Sequence, residues 1–481
     1  MPDVVRRLPE REREAAVEEL IHYLGSLSSN RPPAVAAPGS LQIQQGRVLY
    51  HQTGCVACHA PHESPAAIFG LAGGGPTDPD GVRFALDQLG RASQPLPDLA
   101  AKYAPAALAE FLRDPLAVRP GGRMPSFALT DAEARAVAGY LFALTGPPPA
   151  LAEGAAGFVV RPELARRGKD RFALLGCAGC HELGPGRPVI RSRLAAPSLA
   201  ALDPDATRGC LAETPSAPAP RYALSDAQRG ALKAVLRDTT HLRQMLTASK
   251  RVLQALARFN CHACHARDGL GGPDGNRSDY FTSLSELDLG DEGRLPPHLG
   301  GVGDKLRPDW LGAVLTNAGA VRPYMAVRMP QFGPANVASL AAEFIAADAT
   351  PAAREVAPPG DAAAGAELVG LKGYSCVTCH SFGPHPSLGI SVMDMTRLAG
   401  RLNWDWFRRY LLDPGSLRPG TRMPAFWPEG EATVTTLLDG DTQRQIASIW
   451  SYLSLGVDAP PPPGLLDSLE KARHAAPRGG E

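Results

Sequence analysis

Four copies of one pentapeptide constrain this chain more than any other feature. Cys55 and Cys58, Cys177 and Cys180, Cys261 and Cys264, and Cys376 and Cys379 form Cys-x-x-Cys pairs, each followed at once by a histidine: His59, His181, His265 and His380. Only Cys210 of the nine cysteines is left over. Two thiols on one helical turn add to the two vinyl groups of a haem, and the adjacent imidazole reaches the iron, so the spacing is that of covalent haem attachment. Zinc sites, structural disulfides and thioredoxin-like pairs are the alternatives. Zinc needs two pairs to converge on one ion, yet the pairs stand about 80 to 120 residues apart, and that chemistry asks for no histidine after each. Four covalently bound haem c groups are expected.

At 481 residues the chain has room for three or four domains of ~100 to 200 residues. Lys plus Arg and Asp plus Glu both number 49, which removes any electrostatic case for nucleic acid as a partner. Fifty glycines and 47 prolines point to short helices joined by long loops, not to extended sheet.

An internal repeat surrounds three of the motifs. Phe111 to Phe127 reads F-L-R-D-P-L-A-V-R-P-G-G-R-M-P-S-F, and Tyr410 to Phe426 reads Y-L-L-D-P-G-S-L-R-P-G-T-R-M-P-A-F without a gap. Val321 to Phe332, V-R-P-Y-M-A-V-R-M-P-Q-F, matches with two extra residues before Arg328. The unit is therefore attachment site, intervening helices, Arg-Met-Pro-x-Phe, then a closing helix. Thr130 or Asp131 caps one such helix, with apolar residues at Val137, Tyr140, Leu141 and Leu144; Thr442 precedes Ile446, Ile449, Trp450 and Leu453 at the same spacing.

Each repeat resembles a class I cytochrome c domain, so the chain looks like a multihaem c-type cytochrome built from tandem domains over roughly residues 41 to 457. The resemblance implies an all-α fold of four helical domains with long loops around covalently bound haems. Its boundaries would be 41–147, 160–238, 239–347 and 360–457, with a helical segment at 1–40 and a loose tail at 458–481. It also implies axial pairs His59 with Met124, His265 with Met329 and His380 with Met423, and His181 as the proximal ligand of the second site. Met325 rivals Met329, and His262 is expected at the surface.

The second unit breaks the pattern. Laid without a gap over Arg113 to Asp131, the stretch Arg208 to Asp226 puts Ala219 at Met124 and Cys210 at Pro115. Alanine cannot bind iron, so this haem is five-coordinate, water-ligated or ligated from elsewhere. His241 and Met245, four apart on an expected helix, are the nearest downstream donors, with an ordinary helix surface and core pair as their plain reading.

Residues 1 to 29 lack the apolar run of a signal peptide, although this motif is normally loaded outside the cytoplasm. Met1 and Pro2 before an acidic helix look like the closing part of a repeat, which suggests a start lying inside a longer protein, periplasmic or otherwise exported; the alternative is a simple capping helix. No apolar stretch reaches the ~18 residues of a membrane span, which leaves docking to a membrane complex open. Two functions are expected to compete: electron transfer between redox partner proteins, with no catalytic residue, and a haem enzyme or ligand sensor that takes a small molecule at the second haem and draws electrons from the others.

Overall fold

The computed structural model describes residues 3–5, 8–27, 38–70, 83, 87, 93–96, 98–145, 158–183, 187–195, 197–207, 209–213, 219, 222–240, 244–285, 288–317, 322–350, 355–390 and 392–475. The helices that position the motifs are α1 (Glu10–Ser26), α2 (Ser40–Gln52), α3 (Pro105–Arg113), α4 (Asp131–Thr145), α5 (Pro162–Leu174), α6 (Asp226–Arg237), α7 (Ala248–Arg258), α8 (Leu340–Ala347), α9 (Ala362–Val369), α10 (Trp404–Leu412), α11 (Thr442–Leu453) and α12 (Leu465–Ala475). Among the described residues the sole sheet is a two-stranded antiparallel ribbon, β1 (Ala266–Arg267) and β2 (Leu270–Gly271).

Local chemistry starts these helices where the pattern expects. The Thr130 hydroxyl accepts from Glu133 N–H at 3.3 Å while Glu133 accepts from Thr130 N–H at 2.9 Å, a reciprocal capping box opening α4. Asp441 caps α11 and Thr247 caps α7 more simply, each side chain accepting one N–H, from Arg444 and Lys250. The apolar stripes then turn inward: Val137, Tyr140 and Leu141 in α4, and Ile446, Ile449, Tyr452 and Leu453 in α11, are buried. Each side chain removed from water contributes about 1.5–3 kcal/mol.

The chain forms two compact units, residues 34–147 with 246–481, and residues 1–33 with 148–245. In the larger one, three motif-bearing helices each cross a closing helix: α2 on α4, α7 on α8, α9 on α11. Tyr280 enters the α2–α4 core, its hydroxyl donating to Glu63 O at 2.7 Å. The segment 458–475 differs from the loose tail expected of it. Tyr452 OH donates to Pro460 O at 2.6 Å, Leu371 N–H donates to Pro463 O, and Leu465 at the head of α12 is fully buried; the run of prolines is held by its carbonyls.

In the smaller unit α5 crosses α1. The contact repeats that of the larger unit in detail. A Cβ placed on Gly46, Gly168 or Gly365 would run into the backbone oxygen of Ala136, Glu19 or Ser448, and next meet the Cβ of Tyr140, Tyr23 or Tyr452 four residues further on. Thus α1 holds, against α5, the place that α4 and α11 hold in their own domains. This corrects the separation of residues 1–40 from the second domain. The helix that follows the 208–226 stretch, α6, has no buried residue.

Candidate haem sites

The four motifs share one backbone form. Each Cys-x-x is a turn of 3-10 helix, entered through a residue with positive φ: Gly54 at 118°, Gly176 at 81°, Asn260 at 55° and Ser375 at 55°. In all four the histidine N–H donates to the first cysteine's carbonyl at 2.9 Å. Both cysteines and the histidine are thereby held on one turn. No disulfide forms, and among the described residues no cluster of His, Cys, Asp and Glu could hold a metal ion.

Three histidines are oriented through Nδ1. His59 Nδ1 lies 3.1 Å from Gln94 O, His265 Nδ1 is 2.7 Å from Pro297 O, and His380 Nδ1 is 3.1 Å from Met393 O. Donation from Nδ1 to a carbonyl fixes the tautomer with a bare Nε2, the atom an iron ligand needs. Burial lowers the pKa of all three below the ordinary histidine value, which keeps the rings neutral. Burial also raises the thiols, Cys55 and Cys261 to about 11, Cys264 and Cys376 to about 12. His181 is exposed.

The methionines fall on three loops. Met124 packs against the α2–α4 core and Met423 against the α9–α11 core. Met329 is 38 % exposed. Its loop pairs with that of Met124 through an antiparallel bridge: Ser126 N–H donates to Gln331 O at 2.8 Å and Gln331 N–H to Ser126 O at 2.7 Å, so the two methionines, each two residues before its bridge residue, leave the bridge in opposite directions. Met325 Sδ is 4.0 Å from an Arg322 guanidinium nitrogen.

Two expectations fail here. His262 is not at the surface: both ring nitrogens are buried without a hydrogen-bond partner, against Gly271. Met245 lies in extended chain before the Thr247 cap and is 91 % exposed, so it is no helix neighbour of His241, which is outside the described residues.

Sequence reasoning also missed a set of enclosed cations, of which Arg401 is buried and Lys305, Arg322 and Arg418 are half-buried. Lys305, Arg322 and Arg401 each feel the positive charge of Arg418, and Lys305 and Arg401 also that of Arg322. Burial pushes Arg401 down to about 10 and lowers Lys305 and Arg322 as well. The signal was in the repeat, since Arg322 and Arg418 occupy the Arg-Pro position that Arg119 fills in the first copy. These unbalanced charges, the bare Nε2 atoms and the orphaned Arg401 Nε fit a group that brings iron together with carboxylates, as haem does.

Residues 43–145 match the family model for cytochrome c. That stretch spans α2, the first motif, Met124 and α4. It is a c-type cytochrome domain, the class of protein that carries electrons on covalently bound haem. Comparison with curated proteins and with solved structures gives no match. Among the described residues no helix is long and apolar enough to cross a membrane.

Proposed function

We propose that the chain is a tetrahaem c-type cytochrome that passes electrons between redox partner proteins outside the cytoplasm. The observation that carries this reading is the repetition of one motif turn four times, with the same left-handed entry and the same 2.9 Å histidine-to-cysteine bond. His59, His181, His265 and His380 are the proximal ligands, and Met124, Met329 and Met423 the distal ones. Haem at these sites supplies a one-electron change at iron. The chain's part would be to hold His59, His265 and His380 neutral and aimed and to offer a methionine thioether at each of those three sites, which together favour outer-sphere transfer over bond making.

The pairing of α1 with α5 bears on the second site. With α1 as the closing helix of that domain, Met1 and Pro2 stand before it in sequence as Met124 and Pro125 stand before α4. Met1, outside the described residues, is our candidate ligand there in place of an open coordination position at Ala219.

Haem content tests the proposal. Holo-protein made in a host that matures c-type cytochromes, behind an added export signal, should give four haems per chain by pyridine haemochrome assay; three or fewer overturns it.

A further inference from the structure

These cations, one buried and three half-buried, link the surroundings of two of the motif histidines. On one side, Arg401 donates to Met393 Sδ at 2.9 Å, and Met393 O is the carbonyl that orients His380. On the other, Arg322 donates to Glu292 O at 3.3 Å; Glu292 belongs to the short helix Asp291–Arg294, just ahead of Pro297, whose carbonyl orients His265. Arg418 joins this side through a 2.8 Å ion pair with Glu292. Lys305 is bound to the first side by backbone: Asn403 N–H donates to Lys305 O at 2.9 Å, Arg307 N–H to Arg401 O at 2.9 Å, and Leu306 bridges Leu402. Its ammonium lies 4.3 Å from the Trp406 ring centroid. Tyr324 and Tyr410 complete the surroundings.

Four cations thus converge, and among the described residues the one carboxylate paired with them is Glu292. Arg401 is 6 % exposed and its Nε has no partner. Bringing like charges together out of water around one carboxylate is unfavourable, and an anion bound among them offsets that cost. Haem carries two propionate carboxylates on the edge away from its vinyl groups, so a haem tethered by its cysteines on one side presents them on the other.

We propose that Lys305, Arg322, Arg401 and Arg418 form one shared seat for the propionates of the haems at His265 and His380. This rests on the tetrahaem reading. Guanidinium forks suit carboxylates in paired geometry, and a single seat for both groups sets the third and fourth sites edge to edge.

The test is potentiometric. A cation beside a haem disfavours the oxidised, more positive iron, so removing it lowers the potential. In holo-protein whose haem content has first been measured as four, Arg322→Gln with Arg401→Gln should shift two of the four midpoint potentials downward and leave two in place. A shift of one potential, or of none, overturns the shared seat. Wild type with fewer than four haems overturns instead the reading beneath it. If the double variant fails to fold, the unmodified holo-protein supplies the second measurement: electron paramagnetic resonance during stepwise reduction should show the signals of these two haems broadened by each other. Independent signals overturn the seat.

Discussion

Asn260 Nδ2 donates to Cys58 Sγ at 3.3 Å, so the residue that opens the third motif also touches the second cysteine of the first. The Cys58 thiol is felt by both Cys261 and Cys264. Together with the Ser126–Gln331 bridge and Tyr280 in the α2–α4 core, this makes the first and third sites direct neighbours. Order in sequence is not order in space: the third site adjoins the first at its cysteines and, in our proposal, the fourth at its carboxylates.

Asn260 serves two purposes, which substitution separates. Asn260→Ala loses the amide hydrogen bond and, at φ 55°, the short polar side chain that lets asparagine tolerate the left-handed region, costing about 2 kcal/mol in all. Asn260→Gly loses the amide but keeps the backbone, at about 1 kcal/mol. Urea unfolding followed by circular dichroism checks the order; equal losses would show that the backbone conformation carries no weight.

The α1–α5 contact is tested at Gly168. A Cβ there would run into Glu19 O and Tyr23, so Gly168→Ala should cost about 3 kcal/mol through overpacking and expose α1 to limited proteolysis. Gly230→Ala is the control. It sits in α6 with nothing within 4 Å of the new Cβ, and should be neutral or stabilise by a few tenths of a kcal/mol up to about 1 kcal/mol. Unchanged proteolysis in the Gly168 variant would contradict the role given to α1.

His51 gives the first domain a pH dependence. It is fully buried in α2, its Nδ1 2.8 Å from Arg47 O and its Nε2 accepting from His62 N–H at 3.3 Å. Burial lowers its pKa from 6.5 to about 4, with the Arg47 carbonyl and Glu63 favouring its protonation and the charges of His62 and Arg47 opposing it. The unfolded chain therefore takes up a proton near pH 6.5 that the folded domain refuses until about pH 4. Stability is full above 6.5 and falls as pH drops through that window, by up to about 3 kcal/mol. The urea midpoint of His51→Gln should be flatter than that of wild type between pH 7 and 4.5.

The motif turns and the closing helices α4 and α11 were legible because they depend on near neighbours: Cys-x-x-Cys-His, a Thr or Asp cap, apolar residues three and four apart. The partnership of α1 with α5 joins residues 139 or more positions apart, as in the His22–Arg161 bond, and no local pattern announces it. Its trace was there in Gly168, which precedes Cys177 by the interval separating Gly46 from Cys55. His262 was misplaced for a similar reason. A histidine between two cysteines reads as a free surface residue until β2 folds back and sets Gly271 against its ring. The cationic seat was hidden by the habit of treating arginine as solvated, though the repeat carried two of its members.

Distal ligation is decided one methionine at a time. Met124→Ala, Met329→Ala and Met423→Ala each remove one thioether, and each should add one haem to those that bind carbon monoxide while leaving haem content unchanged, since the thioether bonds to cysteine are untouched. For the third site, Met325→Ala is the counterpart. Met325 sits beside Arg322, so its loss should alter a potential without opening a position; if it opens one and Met329→Ala does not, Met325 is the ligand. The second site is read from the unsubstituted protein. With Met1 as the ligand proposed for that site, wild type should bind no carbon monoxide. Binding at one haem would restore the open site at Ala219 and, with it, the reading of this domain as the place where a small molecule meets the electron supply.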